Sequence, residues 1–241
     1  MTELFIAFSL LLAGFVRGYT GFGFSAIVIL VLSAFYPVAE MVPAVLLLDL
    51  IISVPLVVQS WNRTDFTLLS PILWATIAGV PFGYVMLIYL PDQLLKVIVP
   101  ATILSLALIN NTRSRVLTQL SRSPLLCGFM SGWTTSAVSA GGAPMVIYMR
   151  YSNYSIQQQR DSLISYFFIT SCFVVGISYV LNKQWYLMPE YPIGYPVIAI
   201  LGLLTGKLAF HKKNIQAIHQ GAFYLMLSLS GITLSFALWA L

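Results

Sequence analysis

A glycine-rich break interrupts the first long apolar run of this chain, and a matching break recurs 114 positions later. The first reads Gly14-Phe-Val-Arg-Gly-Tyr-Thr-Gly-Phe-Gly-Phe-Ser-Ala26, the second Gly128-Phe-Met-Ser-Gly-Trp-Thr-Thr-Ser-Ala-Val-Ser-Ala140. Six of the thirteen positions are identical, and Tyr19 stands opposite Trp133. Irregular backbone cannot face lipid, because each unpaired N–H or C=O costs several kcal/mol there; it must line a cavity or lie within protein. Two broken segments in corresponding places therefore point to a midplane site between two halves of a transporter.

The apolar setting is unambiguous. The chain is 59% hydrophobic and 8% charged, with mean hydropathy +0.90, against roughly 25% charged residues in an ordinary soluble domain. This composition describes a polytopic helical protein embedded in the lipid bilayer, with no residues left for a soluble domain. The start, Met-Thr-Glu, has no basic stretch and reads as part of the first segment rather than a cleaved signal. Cys127 and Cys172 lie in apolar runs, without the spacing of a disulfide framework or a metal site. The net charge of +5 belongs to loops on one membrane face rather than to nucleic-acid binding.

Segments 38–59, 66–90, 94–110, 156–181, 191–210 and 215–240 read as full spans. Segments 4–35 and 123–150 contain the breaks; arms of about 4–16 and 24–35, each ~20 Å long, would reach the midplane and no further. If the broken segments cross, Lys and Arg divide five against six between the faces. If they enter and return, Arg63, Arg113, Arg115, Arg122, Arg150, Arg160, Lys207, Lys212 and Lys213 share one face, and Lys96 and Lys183 the other. The second arrangement has the asymmetry of the positive-inside rule. The expected fold is thus all-α, with two inverted repeats, each a glycine-broken re-entrant pair plus three transmembrane helices. The repeats cover 1–110 and 123–241, joined by a basic loop at 111–122, with basic loops in the cytoplasm and both termini outside. Gly79-xxx-Gly83 and Gly202-xxx-Gly206 suit close helix packing, within one chain or in a homodimer.

The candidate site collects around the breaks. Gly18, Gly21, Gly23, Gly132, Gly141 and Gly142 allow close backbone approach, and Thr20, Ser25, Thr134, Thr135, Ser136 and Ser139 add hydroxyls. Tyr19 and Trp133 would wall the cavity, Phe22 joins the candidate site beside Gly23, and the start of each second arm presents free N–H groups to an anion. Arg17 is an intramembrane guanidinium suited to oxyanions. Asp49, isolated in an apolar run, is a structural ion-pair partner for it or a proton carrier. Ser131 replaces Arg17 in the second copy, so the site is expected to be asymmetric. Arg160 and Asp161 read as a loop anchor. No catalytic motif is present, and no enzyme activity, metal or cofactor is expected.

The stretch Gly14-Phe-Val-Arg-Gly-Tyr-Thr-Gly-Phe-Gly23, with Gly128-Phe-Met-Ser-Gly132 and Ser139-Ala-Gly-Gly-Ala-Pro144, resembles the TauE/SafE sulfite exporter family of small anion permeases of the inner membrane. The resemblance implies export of sulfite or an organosulfonate by a secondary transporter or facilitator. An anion channel, or a membrane scaffold subunit without transport, are the alternatives.

Overall fold

Local signals place the helix starts. In the computed structural model, which describes residues 2–111, 122–150, 152, 154–183, 194–210 and 215–239, Asp65 accepts from the N–H groups of Thr67 and Leu68 at one start. Ser123 caps another, with Pro124 at the position where a missing N–H costs nothing. Ser155 and Gln158 form a capping box at a third. Ten helices result among the described residues: α1 Thr2–Thr20, α2 Phe24–Leu32, α3 Val38–Ser60, α4 Phe66–Tyr89, α5 Asp92–Asn111, α6 Pro124–Val138, α7 Gly142–Arg150, α8 Ile156–Asn182, α9 Gly194–Phe210 and α10 Ile215–Trp239. A 3-10 turn, Trp61–Arg63, follows α3. Residues 112–121, the bulk of the expected basic loop, and His211, Lys212 and Lys213 lie outside the described residues.

Among the described residues, four stretches are long and apolar enough to cross a membrane: Glu3–Thr20, Val38–Arg63, Phe66–Tyr89 and Ile156–Asn182. Gly194–Phe210 and Tyr224–Trp239 are shorter apolar helices. Trp74, Phe82 and Phe236 stand exposed on outer faces, as lipid-facing side chains do. The chain is a multi-pass helical membrane protein.

The first broken segment differs from the sequence expectation in one respect. Its arms are unequal: α1 runs four residues past position 16, through Arg17 and Gly18, whereas α2 stops at Leu32 after nine residues. The reason lies in what each glycine does. Gly18 is helical and pressed against α9, while the chain leaves the helix at Gly21 and Gly23, whose φ angles are 84° and 94°. That left-handed backbone suits glycine and few other residues.

Two glycine crossings organise the bundle. A Cβ on Gly14 or Gly18 would collide with the backbone of Ala199 or Leu203 in α9, and one on Gly202 or Gly206 with Leu11 or Phe15 in α1. Positions rise together along both helices, so α1 and α9 run parallel. The same arrangement joins α4 and α6: Gly79 and Gly83 meet Phe129 and Trp133, and Gly128 and Gly132 meet Ile72 and Thr76. Apolar side chains gain nothing by leaving lipid for one another, so association depends on such backbone-to-backbone closeness. The expectation that Gly79-xxx-Gly83 and Gly202-xxx-Gly206 pack helices is met, and the glycines they pack against are those of the two repeated motifs.

Further contacts join α3 to α8 and α5 to α10. Exchanging the first five helices for the last five leaves all of these pairings unchanged. α2 sits deep among them; every residue of it except Ser25 is buried, as expected of a helix apolar all round.

Candidate functional site

The two breaks touch. Ser25 Oγ, in the first turn of α2, donates to Ser139 O at the end of α6, 3.2 Å away. Phe22 lies over Gly142, where a Cβ would come within 3.1 Å of its ring. Each break is pinned from inside. Thr20 Oγ1 donates to Val16 O at 2.8 Å and accepts from Phe22 N–H at 3.2 Å. Ser131 Oγ donates to Gly141 O at 2.6 Å, and Thr135 Oγ1 to Ser131 O at 2.7 Å. Ser139 holds a left-handed φ of 56°.

The second break is displaced by one helical turn. Gly18 and Gly132 match at the two crossings, yet α1 ends at Thr20 and α6 continues to Val138. That is four more residues of helix, close to the 3.6 of one turn. The residues aligned with Gly21 and Gly23, Thr135 and Ala137, are therefore helical.

Between the breaks lies a cavity with ≈ 50 Å³ open to the centre of a water-sized sphere, room for a few waters or one small ion. Arg17, Asp49, Phe22, Gly23, Ser25, Thr135, Ser139, Gly141 and Gly142 all line it. The other residues singled out from sequence lie elsewhere. Gly18 and Gly132 are spent on the crossings. Tyr19 is fully buried against Phe15 and Phe210, and Trp133 packs on α4. Thr20 and Gly21 shape the break; Gly21 packs against Arg160. Thr134 bonds back to Met130 O, and Ser136 Oγ donates to Val80 O across the α4 crossing.

Arg17 dominates the polar wall. It is 1% exposed. Its Nη1 donates to Gly21 O at 2.6 Å and its Nη2 to Ser53 Oγ at 3.1 Å, while Nε lies 3.2 Å from Asp49 Oδ1. These contacts engage three of the five guanidinium N–H groups. Asp49 is 3% exposed and also accepts from Ser53 Oγ at 3.3 Å. Phe167 supports the guanidinium, its ring centre 5.6 Å from Cζ.

Two helix starts add to the wall. The first intrahelical bond of α2 runs from Ile27 N–H to Gly23 O, so the N–H groups of Phe24, Ser25 and Ala26 precede it, and no side chain caps Gly23. Gly142 and Ala143, which begin α7, line the same cavity. Each helix start carries roughly half a positive charge. Asp49 balances the formal charge of Arg17. Ser139 Oγ, 2% exposed on the cavity wall, has no hydrogen-bond partner among the described residues.

Two features were missed from sequence. Ser53, which bridges Arg17 and Asp49, is visible in hindsight as a hydroxyl one turn beyond an intramembrane acid. Arg160 does more than anchor a loop: its Nε donates to Tyr19 O at 3.0 Å and its Nη2 to Gly18 O, capping the end of α1. Asp161 accepts from Ser60 Oγ at 3.1 Å and pairs with Arg63. No sequence signal links Arg160 to positions over a hundred residues away.

The protein-family model "Sulfite exporter TauE/SafE" matches residues 6–234, nearly the whole chain. No curated protein and no solved structure matches it at a significant level. With that coverage, and with both breaks inside the match, the chain belongs to the TauE/SafE sulfite exporter family.

Proposed function

We propose that this protein exports a small sulfur oxyanion, sulfite or an organosulfonate, across the bacterial inner membrane through a midplane site between the two helix breaks. The observation that carries the reading is the cavity where Arg17, two helix starts and the unpartnered Ser139 hydroxyl converge. Arg17 supplies two free N–H groups for oxyanion oxygens. The helix starts supply backbone donors at no cost in side-chain ordering. A cavity this small favours a compact anion.

The halves are read as inverted repeats. α2 contacts α1, and Tyr195, at the start of α9, lies within electrostatic reach of both Glu3 and Tyr36. The chain thus enters by α1 and returns by α2 to the side where it began. α3 ends beside the start of α8, through Ser60 and Asp161, so these two matched helices run antiparallel. With three crossings per half, the second half is the first turned over. Alternating access then follows from rocking of the halves about a fixed site, with the face bearing Arg63 in the cytoplasm.

On a background free of native cysteines, Asn62→Cys and Ser155→Cys should label from one side of sealed vesicles and Gln93→Cys from the other. Labelling of positions 62 and 155 from opposite sides would rule out returning arms. The functional test is sulfite efflux from proteoliposomes with and without an imposed potential. An inside-negative potential drives each net negative charge outward by about 2.3 kcal/mol per 100 mV, so efflux should accelerate with potential, saturate with sulfite and show counterflow. Absent flux of sulfite and of small sulfonates from folded protein overturns the reading; flux without counterflow replaces the carrier with a channel.

A further inference from the structure

The two halves contain an internal comparison for the buried ion pair. Aligning α7 with α2 and α8 with α3 by their first residues places Ser171 opposite Ser53 and Phe167 opposite Asp49. The crossings place Ser131 opposite Arg17. In the second half both charges are thus replaced together. Yet the structural task persists: Ser131 Oγ holds the carbonyl of Gly141 at 2.6 Å, as Arg17 Nη1 holds that of Gly21 at 2.6 Å. A hydroxyl is sufficient to pin a break. The Arg17–Asp49 pair has another use, and both partners line the cavity.

Resting on the anion-site reading above, we propose that Asp49 is a tethered counter-ion which the arriving anion displaces from Arg17, and that Asp49 takes up one proton as it is displaced. Asp49 meets the guanidinium at its Nε edge, 3.2 Å away, and is also held by Ser53, which leaves to the ligand the one N–H each of Nη1 and Nη2 not bonded to Gly21 O or Ser53 Oγ. An oxyanion drawn onto Arg17 competes directly with it. The displaced carboxylate stays in an apolar setting, where an unpaired charge is strongly disfavoured and the neutral acid is the stable form. Among the described residues no other cation faces Asp49. Arg17 is the charged side chain acting on Asp49; α2 has no ionisable residue. On α8, Arg160 and Asp161 are engaged at the end of α1 and with Arg63, and Tyr166 is bonded to Thr76. On α5, Asp92 and Lys96 pair with each other. α4 brings Tyr84, bonded to Ser178, α6 the buried Cys127, and α9 has Tyr195 and Lys207 near its two ends.

The proton balance is simple. Asp49 carboxylate plus one proton from the open side gives the acid; on release of the anion the proton leaves and the Arg17–Asp49 pair re-forms. Arg17 stays cationic throughout. The empty site is neutral, so an empty carrier can reorient. A bound monoanion with its proton is neutral as well. A bound sulfite dianion carries one net negative charge and still moves outward along an inside-negative potential.

Calorimetric titration of sulfite into the purified protein, in buffers of different ionisation enthalpy above neutral pH, counts the protons. About one proton should be taken up per sulfite bound, with Kd rising about tenfold per pH unit. Asp49→Asn should bind sulfite more tightly, with near-zero uptake and a flat pH dependence. Wild-type binding without proton uptake overturns the proposal while leaving the anion site standing. Undiminished uptake in Asp49→Asn also overturns it, since the proton then resides on the anion. Should that variant fail to fold, the wild-type count and its pH slope decide alone. No sulfite binding at all sinks both the site and its coupling.

Discussion

Arg17→Ala should reduce sulfite efflux by ~100-fold or more, and it should also destabilise the protein. The two effects have separable causes. Hydrogen bonds to a charged group contribute about 1.5–3 kcal/mol each, so losing two contacts to the anion removes roughly 3 kcal/mol or more, and each 1.4 kcal/mol is tenfold. Stability suffers because Asp49 loses the guanidinium 3.2 Å away. Breaking a buried pair from one side costs about 3–5 kcal/mol, an upper figure here because Asp49 can protonate. The double variant Arg17→Ala/Asp49→Asn removes the stranded charge, so its thermal midpoint in detergent should recover toward wild type while efflux stays lost. Recovery of stability and efflux together would mean that the pair is structural and that Arg17 does not bind the anion. The pair of measurements matters because a single variant that loses both properties would be ambiguous.

Gly206→Ala should be among the most damaging single-methyl changes in the chain. The added carbon would fall on Phe15 O, Cα and carbonyl carbon, which are backbone atoms of α1 and cannot turn aside as a side chain can. α1 and α9 would have to separate along a crossing that also includes Gly14, Gly18 and Gly202. Overpacking typically costs 1–3 kcal/mol, and a clash with backbone places this case at about 3 kcal/mol or beyond. Gly176→Ala is the matched control. Nothing lies within 4 Å of its added carbon, and alanine is favoured over glycine in a helix interior by about 0.5–1 kcal/mol. Thermal unfolding in detergent should therefore move in opposite directions for the two variants. A Gly206→Ala protein as stable as wild type would show that α1 and α9 are not held at backbone contact.

Much of the architecture was legible in the chain. Apolar runs near the length of a bilayer mark α3, α4, α5 and α8 to within two residues of their observed ends. Arg17 and Asp49 stand out because charge is rare in such runs, and the repeated glycine motif locates both irregular segments. What composition and motif could not resolve was the use to which each glycine is put. Glycine permits two different things, a left-handed backbone and a bare helix face, and the residue letter is the same for both. Gly21 and Gly23 use the first; Gly18, Gly132, Gly202 and Gly206 use the second. This ambiguity drew the end of the first arm four residues early and grouped Gly18, Tyr19, Gly132 and Trp133 with the cavity-lining residues, whereas they lie at the helix crossings.

By itself, then, the sequence determined that the chain is a bundle of membrane helices with two interrupted segments and one arginine among them, because hydropathy and charge scarcity are properties of each segment alone. Only the tertiary structure decided the rest: that the second break sits one turn further from its crossing, that Asp49 and Ser53 share Arg17, and that Arg160 closes the end of α1. Each of these depends on where two distant helices meet, and in a membrane that is settled by the closest approach of their backbones rather than by the hydropathy of either one.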